Sequence, residues 1–124
     1  MGAEKILVVD DSPTELKLII NALATQGNVI ITANDGEQAL RKVVKEKPDL
    51  IVMDVVMPNM DGFQACRKIK SSSDFKHVPV ILLTSKNQKS DEFWGKKQGA
   101  DVYLTKPFKE TVLRASVNKL LGRG

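Results

Sequence analysis

Four stretches of this sequence place reactive side chains directly after an apolar run. ILVV leads into Asp10 and Asp11, LIVM into Asp54, PVILL into Thr84 and Ser85, and DVYLT into Lys106 and Pro107. Clustered carboxylates supply the hard oxygen ligands that Mg2+ takes, with water filling the remaining positions. An ionised aspartate can also act as a nucleophile towards a phosphoryl group. Such a transfer then needs cations and hydrogen-bond donors on the phosphoryl oxygens as charge builds. Lys106, the Thr84 hydroxyl and the Ser85 backbone amide are donors of that kind. Asp10 and Asp11 alone are an electrostatic problem, because like charges that close repel and both lose water on burial. A divalent cation would reverse the repulsion and keep the acids ionised.

Whether these groups meet depends on the elements that carry them. KILVVD (5–10), NVIITA (28–33), DLIVMD (49–54), VPVILLT (78–84) and ADVYLT (100–105) read as five strands. Several are almost uniformly apolar, as expected of strands covered on both faces of a parallel sheet. Helical periodicity fills the intervals. The first helix follows Ser12-Pro13-Thr14-Glu15, where serine caps, proline suits the first position and glutamate completes a capping box. It turns Leu16, Ile19, Ile20 and Leu23 inward and stops at Gly27. A second helix starts near Asp35 or Gly36, with Ala39, Leu40, Val43 and Val44 apolar, and ends before Pro48. The third runs from about Asp61 to Ser72 on a stripe of Phe63, Cys66 and Ile69, and the fourth lies near 89–98. The fifth runs from about Lys109 to Leu121 and is expected to bury Val112, Leu113, Val117, Leu120 and Leu121. Five β–α pairs with right-handed crossovers form an α/β fold, a doubly wound parallel sheet of order 2-1-3-4-5 in a flavodoxin-like three-layer sandwich. In that order strands one and three are neighbours, so Asp10, Asp11 and Asp54 converge on one sheet edge.

The chain of 124 residues reads as one domain, 1–124. No apolar run approaches the ~20 residues of a membrane span, and MGAEK lacks a signal-peptide pattern. We therefore expect a cytoplasmic protein without membrane insertion. The lone Cys66 excludes an intrachain disulfide and a cysteine metal cluster, and reads as a buried small hydrophobe. Residues 1–63 carry 6 Lys+Arg against 10 Asp+Glu (−4), and residues 64–124 carry 13 against 5 (+8). No helix-turn-helix or aromatic RNA-binding motif accompanies the basic half. A solvated basic surface, or one facing an acidic protein, is expected rather than direct nucleic-acid binding.

VVDDSPTE, VMDVVMPNMDG, ILLTSK and YLTKPF fall on four strand ends in order, and with them the chain resembles a receiver domain of a two-component response regulator. The resemblance covers essentially the whole chain and is to the single-domain, chemotaxis-regulator kind, without an output domain. It implies that Asp54 is the phosphoacceptor of a histidine kinase. It also implies that Asp10, Asp11, Asp54 and the backbone carbonyl of Val56 bind Mg2+, with Mn2+ as an alternative. Thr84, with Ser85 beside it, would be the switch hydroxyl, Tyr103 the aromatic switch, Lys106 the phosphoryl-binding cation and Pro107 a cis-proline. Val56 and Lys86 occupy positions resembling the family's tuners of phosphate lifetime; an apolar Val56 cannot orient an attacking water, so slow self-dephosphorylation is expected. The implied output is a helix 4–strand 5–helix 5 surface that contacts a downstream effector protein in chemotaxis or motility signalling. The protein would be a monomer or weak dimer. It would act as a signalling phosphoacceptor, catalysing only its own phosphorylation and dephosphorylation.

Other readings fit less of the sequence. A phosphorelay intermediate serving a histidine phosphotransfer protein would use the same residues, and a constitutive interaction module would leave the acid–Thr–Lys set without a purpose. A haloacid-dehalogenase-type phosphatase needs Asp-x-Asp after strand one, where this chain has Asp10-Asp11-Ser12, and it leaves Asp54 unexplained. A flavodoxin-like cofactor binder needs a phosphate loop in place of the two acids. His77 has no metal or nucleophile partner in sequence and reads as a surface residue. In Phe93-Trp94-Gly95, Phe93 is the expected core residue. Core packing is also preferred for Trp94, with a half-exposed partner surface as the alternative. A Trp-Gly pair here also resembles regulators of twitching motility.

Overall fold

The computed structural model describes residues 3–24 and 26–123. Strands β1 (Lys5–Val9), β2 (Val29–Ala33), β3 (Leu50–Met53), β4 (Val80–Thr84) and β5 (Val102–Thr105) alternate with five helices. These are α1 (Pro13–Ala24), α2 (Gly36–Glu46), α3 (Gly62–Lys70), α4 (Lys89–Lys97) and α5 (Glu110–Leu120). The strands are parallel in the order β2-β1-β3-β4-β5, as the uniformly apolar runs require.

Alternation along each strand sorts the core into two layers. Ile6 and Val8 of β1, Leu50 and Val52 of β3, and Ile81 and Leu83 of β4 pack against Ile19 and Leu23 of α1 and Leu113 and Val117 of α5. Their neighbours Leu7, Val9, Ile51, Met53 and Leu82 point the other way, onto Ala39 and Val43 of α2 and Ala65, Cys66 and Ile69 of α3. Full burial of each large aliphatic side chain contributes roughly 1.5–3 kcal/mol, so β1, β3 and β4 form a stiff frame. Their carboxyl ends inherit that stiffness.

Local chemistry sets the helix ends. Asp35 and Asp61 cap α2 and α3 by accepting the amides of Gln38 (2.8 Å) and Gln64 (2.9 Å). Ser12 Oγ accepts the Glu15 amide at 3.3 Å. The expected capping box is only half formed, because the Glu15 carboxylate turns towards Lys106, 3.6 Å away. Val112 and Val44 are exposed, and in α5 this corrects the expected inward face. Each lies about 100° around its helix from a fully buried neighbour, Leu113 or Val43. Leu120 and Leu121 are half-buried at the end of the same core. Cys66 is buried as expected, its thiol donating to the Gln98 carbonyl at 3.5 Å, and burial pushes that thiol up to about 12. His77 is exposed.

Helix α4 overturns the expected core packing of both Phe93 and Trp94. Its only buried residue is Gly95, which rests on the Tyr103 ring and Leu82; a β-carbon there would lie 2.8 Å from the ring. Neither aromatic before it enters the core: Phe93 is 66% exposed and Trp94 49%. The helix is seated by the residue with no side chain, which lies against the buried Tyr103 ring.

Candidate functional site

Backbone ladders carry the reactive side chains to one edge. The Asp10 amide donates to the Ala33 carbonyl (3.1 Å) and the Asp54 amide to the Val9 carbonyl (2.9 Å), so both aspartates extend their strands by one rung. Register places Val9 beside Met53, and the next residue of each strand is therefore one of these acids. Asp11 follows in the turn and is exposed. Carboxylate oxygens of Asp10, Asp11 and Asp54 all lie within 4.8 Å of one another. That donor set suits a hard divalent cation and could hold one.

Lys106 supplies positive charge to the same cluster. Its amide donates to the Thr84 carbonyl at 2.9 Å, extending the β4–β5 ladder by one rung. Its ammonium donates to Asp10 Oδ2 at 2.7 Å and Asp54 Oδ2 at 3.1 Å. The Lys106–Pro107 peptide is cis. The other Asp54 oxygen, Oδ1, accepts the amides of Val55 (2.6 Å) and Val56 (3.3 Å), so the carboxylate is fixed at both ends. Asp10, only 1% exposed, has its carboxyl raised above the usual range. Desolvation is the main cause; the Lys106 and Ser12 hydrogen bonds oppose it without cancelling it. Desolvation is also the largest single effect on Lys106 and pulls its ammonium down, but Asp10 and Asp54 together outweigh it and hold it above its usual value. The acids and the lysine therefore stabilise one another's charges.

Thr84 is fully buried at the end of β4, and its Oγ1 accepts the Lys86 amide at 3.3 Å. The Tyr103 hydroxyl donates to the Lys86 carbonyl at 2.8 Å. One residue's backbone thus joins the threonine to the tyrosine, a link the sequence does not announce because it uses no side chain of Lys86. That side chain is exposed and 3.9 Å from Asp91, while Ser85 and Val56 are exposed at the rim. Trp94 lies on α4 and is not among the residues gathered here.

Burial, reinforced by Asp91, Asp54 and Glu92, pushes the Tyr103 phenol up to about 12. Because the folded state favours the neutral phenol, its stabilising contribution is complete below the unfolded value of about 10 and is lost as pH rises through the folded one. Tyr103 is the only tyrosine, so near-ultraviolet phenolate absorbance of the folded protein should titrate close to pH 12. A midpoint near that of a free tyrosine would contradict the buried placement.

A second set of residues, whose meeting no motif in the sequence marks, lies beside the site. Asp35 Oδ2 accepts Asn59 Nδ2 at 2.7 Å, and the Gly36 amide donates to the Met60 carbonyl at 3.1 Å. Together they clasp the β3–α3 loop, just beyond Asp54, to the start of α2. The amide of Gln38 and the side chain of Asn59 hold the Asp35 carboxyl below its usual range. Asn59 adopts a positive φ of 67°, which asparagine tolerates better than most residues. The signal available was a pair of turn-forming runs, Asn34-Asp35-Gly36 and Asn59-Met60-Asp61-Gly62. Nothing in a single sequence says that they meet.

Comparison with known proteins agrees with this geometry. A model of the response regulator receiver domain family matches residues 6–118. Protein PilH of Pseudomonas aeruginosa is 42% identical over 94% of this chain and 97% of its own. The receiver domain of sensor histidine kinase PA1611 from Pseudomonas aeruginosa, solved with a magnesium ion coordinated in its active-site cleft, superposes with a TM-score of 0.90. It is 31% identical, over 98% of this chain and 99% of that one. Chemotaxis response regulator CheY4 of Vibrio cholerae gives a TM-score of 0.88 at 33% identity, over 95% and 98% of the two chains. Several further curated relatives are longer, and this chain spans about half of their length or less.

Proposed function

We propose, on the premise that this chain belongs to the response regulator receiver domain family, that Asp54 is its phosphoacceptor in a phosphorylation-driven signalling switch. The observation that carries this reading is the Lys106 ammonium held between Asp10 and Asp54, beside the three converging carboxylates. An Asp54 oxygen attacks the phosphorus of a histidine kinase's phosphohistidine. An O–P bond forms, the P–N bond breaks, and the imidazole departs with the bonding electrons. Asp10, Asp11, Asp54 and the Val56 carbonyl would hold Mg2+, a reading supported by the chemistry of the donors. When bound, the ion would offset charge on the phosphoryl oxygens. Lys106 is already within reach of Asp54 and would follow the new oxygens. The Thr84 hydroxyl would donate to them, drawing on the Lys86 backbone that also holds Tyr103.

No helix among the described residues is long and apolar enough to cross a membrane, and we place the protein in the cytoplasm. The similarity to CheY4, together with PilH matched over nearly all of its length, supports a stand-alone receiver in chemotaxis or motility signalling. Its output would be contact with a downstream effector rather than turnover of a free substrate. Incubation with acetyl phosphate and Mg2+ should produce one acid-labile, hydroxylamine-sensitive acyl phosphate per chain, absent from Asp54→Ala and suppressed by EDTA. Undiminished labelling of Asp54→Ala would sink the assignment.

A further inference from the structure

Helix α4 presents two exposed aromatics, and a cleft of about 470 Å³ opens beside one of them, between the carboxyl ends of α3 and α4. Arg67, Lys70, Ser71, Trp94, Lys97 and Gln98 line it. Its charges are unevenly satisfied. Lys70 is internally spoken for, lying 2.7 Å from the Val78 carbonyl and 3.0 Å from the Asp101 carboxylate. Arg67, nearby Lys68, and Lys97 have no carboxylate within 4.0 Å among the described residues. Cations at helix carboxyl ends complement the helix dipole, and that alone explains why basic residues gather here. It does not explain why Trp94 stands half in water among them. Tryptophan and arginine are the residues enriched where partners bind most tightly.

We propose that this α3–α4 cleft docks an acidic segment of a partner protein, with its carboxylates on Arg67 and Lys97 and an apolar side chain against Trp94. Charge complementarity selects the occupant: two cations without a carboxylate partner, Arg67 and Lys97, line the cleft with Trp94, and no described acid lies among the cleft residues. The patch is too short for the extended basic track that a nucleic-acid backbone occupies. All its lining residues belong to α3, α4 and the turns after them, so the surface shares α4 with the α4–β5–α5 face but takes α3 in place of β5 and α5. It needs no phosphoryl group.

Trp94 is the sole tryptophan and reports directly on the cleft. The probe is a short synthetic peptide of glutamates flanking one Leu–Phe pair, titrated into the whole unphosphorylated protein in EDTA. A saturable change in Trp94 emission is expected, weakening with added salt. Binding measured by anisotropy of the labelled peptide should weaken at least tenfold in Arg67→Glu/Lys97→Glu and in Trp94→Ala. The control Lys42→Glu/Lys45→Glu on α2 should bind as the parent does. Acetyl phosphate labelling of the cleft variants should remain at the parental level, which shows they are folded and keeps this test apart from that of Asp54. Absence of saturable binding, or equal loss in the α2 control, overturns the proposal. So does a thymidine oligonucleotide that binds more tightly than the peptide and depends on the same residues.

Discussion

Gly62→Ala should lose about 3 kcal/mol of folding stability and, in whatever fraction folds, most of its capacity to be phosphorylated. Gly62 opens α3, and its amide donates to the Val55 carbonyl at 2.8 Å. A β-carbon at this position would overlap the Asp54 carbonyl oxygen and lie 2.8 Å from the Val55 Cα. Both neighbours are backbone, and they belong to the peptide units that aim the Asp54 carboxylate. No side-chain rotation can relieve the overlap. Either α3 moves off the sheet or the Asp54–Val55 backbone shifts, and a shift of about 1 Å at a reacting group can slow a reaction ~10²-fold. Urea unfolding would measure the first effect, and the initial rate of acetyl phosphate labelling the second. Parental stability with a parental labelling rate would contradict the packing described for this turn.

Lys106→Met should be the more instructive loss. The substitution keeps length and removes charge, leaving Asp10 and Asp54 buried and facing each other without their ammonium. Removing one partner from a buried ionic group typically costs about 3–5 kcal/mol, and that is the expected loss at neutral pH in EDTA. The sign of the pH dependence follows from Asp10. Its carboxyl is already raised by desolvation, and without Lys106 it rises further. The folded state then binds a proton more readily than the unfolded chain does. The deficit is therefore full at neutral pH and shrinks as pH falls through the raised Asp10 value. Saturating Mg2+ should also shrink it. Phosphorylation should nonetheless stay slow, on the order of 10²–10³-fold, because a donor to the phosphoryl oxygens is gone. Thermal unfolding at neutral and acidic pH, with and without Mg2+, separates these effects. A deficit that grew on acidification would mean that the ion pair is not its source.

This placement also revises the electrostatic problem seen at Asp10-Asp11. Asp11 is exposed, so its repulsion with the other acids is screened by water, while the desolvation penalty falls on Asp10. Part of the compensation comes from Lys106, far away in sequence but adjacent in space. The strand ends were legible because β1, β3 and β4 are buried on both faces and read as unbroken apolar runs. The adjacency of Asp10 and Asp54 then followed from strand order, and the starts of α2 near Asp35 and α3 near Asp61 from the turn-forming residues that precede their apolar stripes. Two features stayed hidden for physical reasons. The seat of α4 is Gly95, which carries no hydrophobic signal, so periodicity nominated Phe93 instead. The Asp35–Asn59 clasp joins two polar turns, and polar turns advertise where a chain bends but not what it touches.

The glycine seat has a consequence for motion. Eight of the nine residues of α4 keep their side chains out of the buried core, so sliding or tilting this helix exposes little new apolar surface. Its restoring force is correspondingly weak, while β1, β3 and β4 at the other end of the linkage are anchored by burial. In a molecule so graded, displacement follows compliance. Work done at the rigid strand ends would surface in the softest part, and α4 can act as the needle of a gauge whose housing does not move.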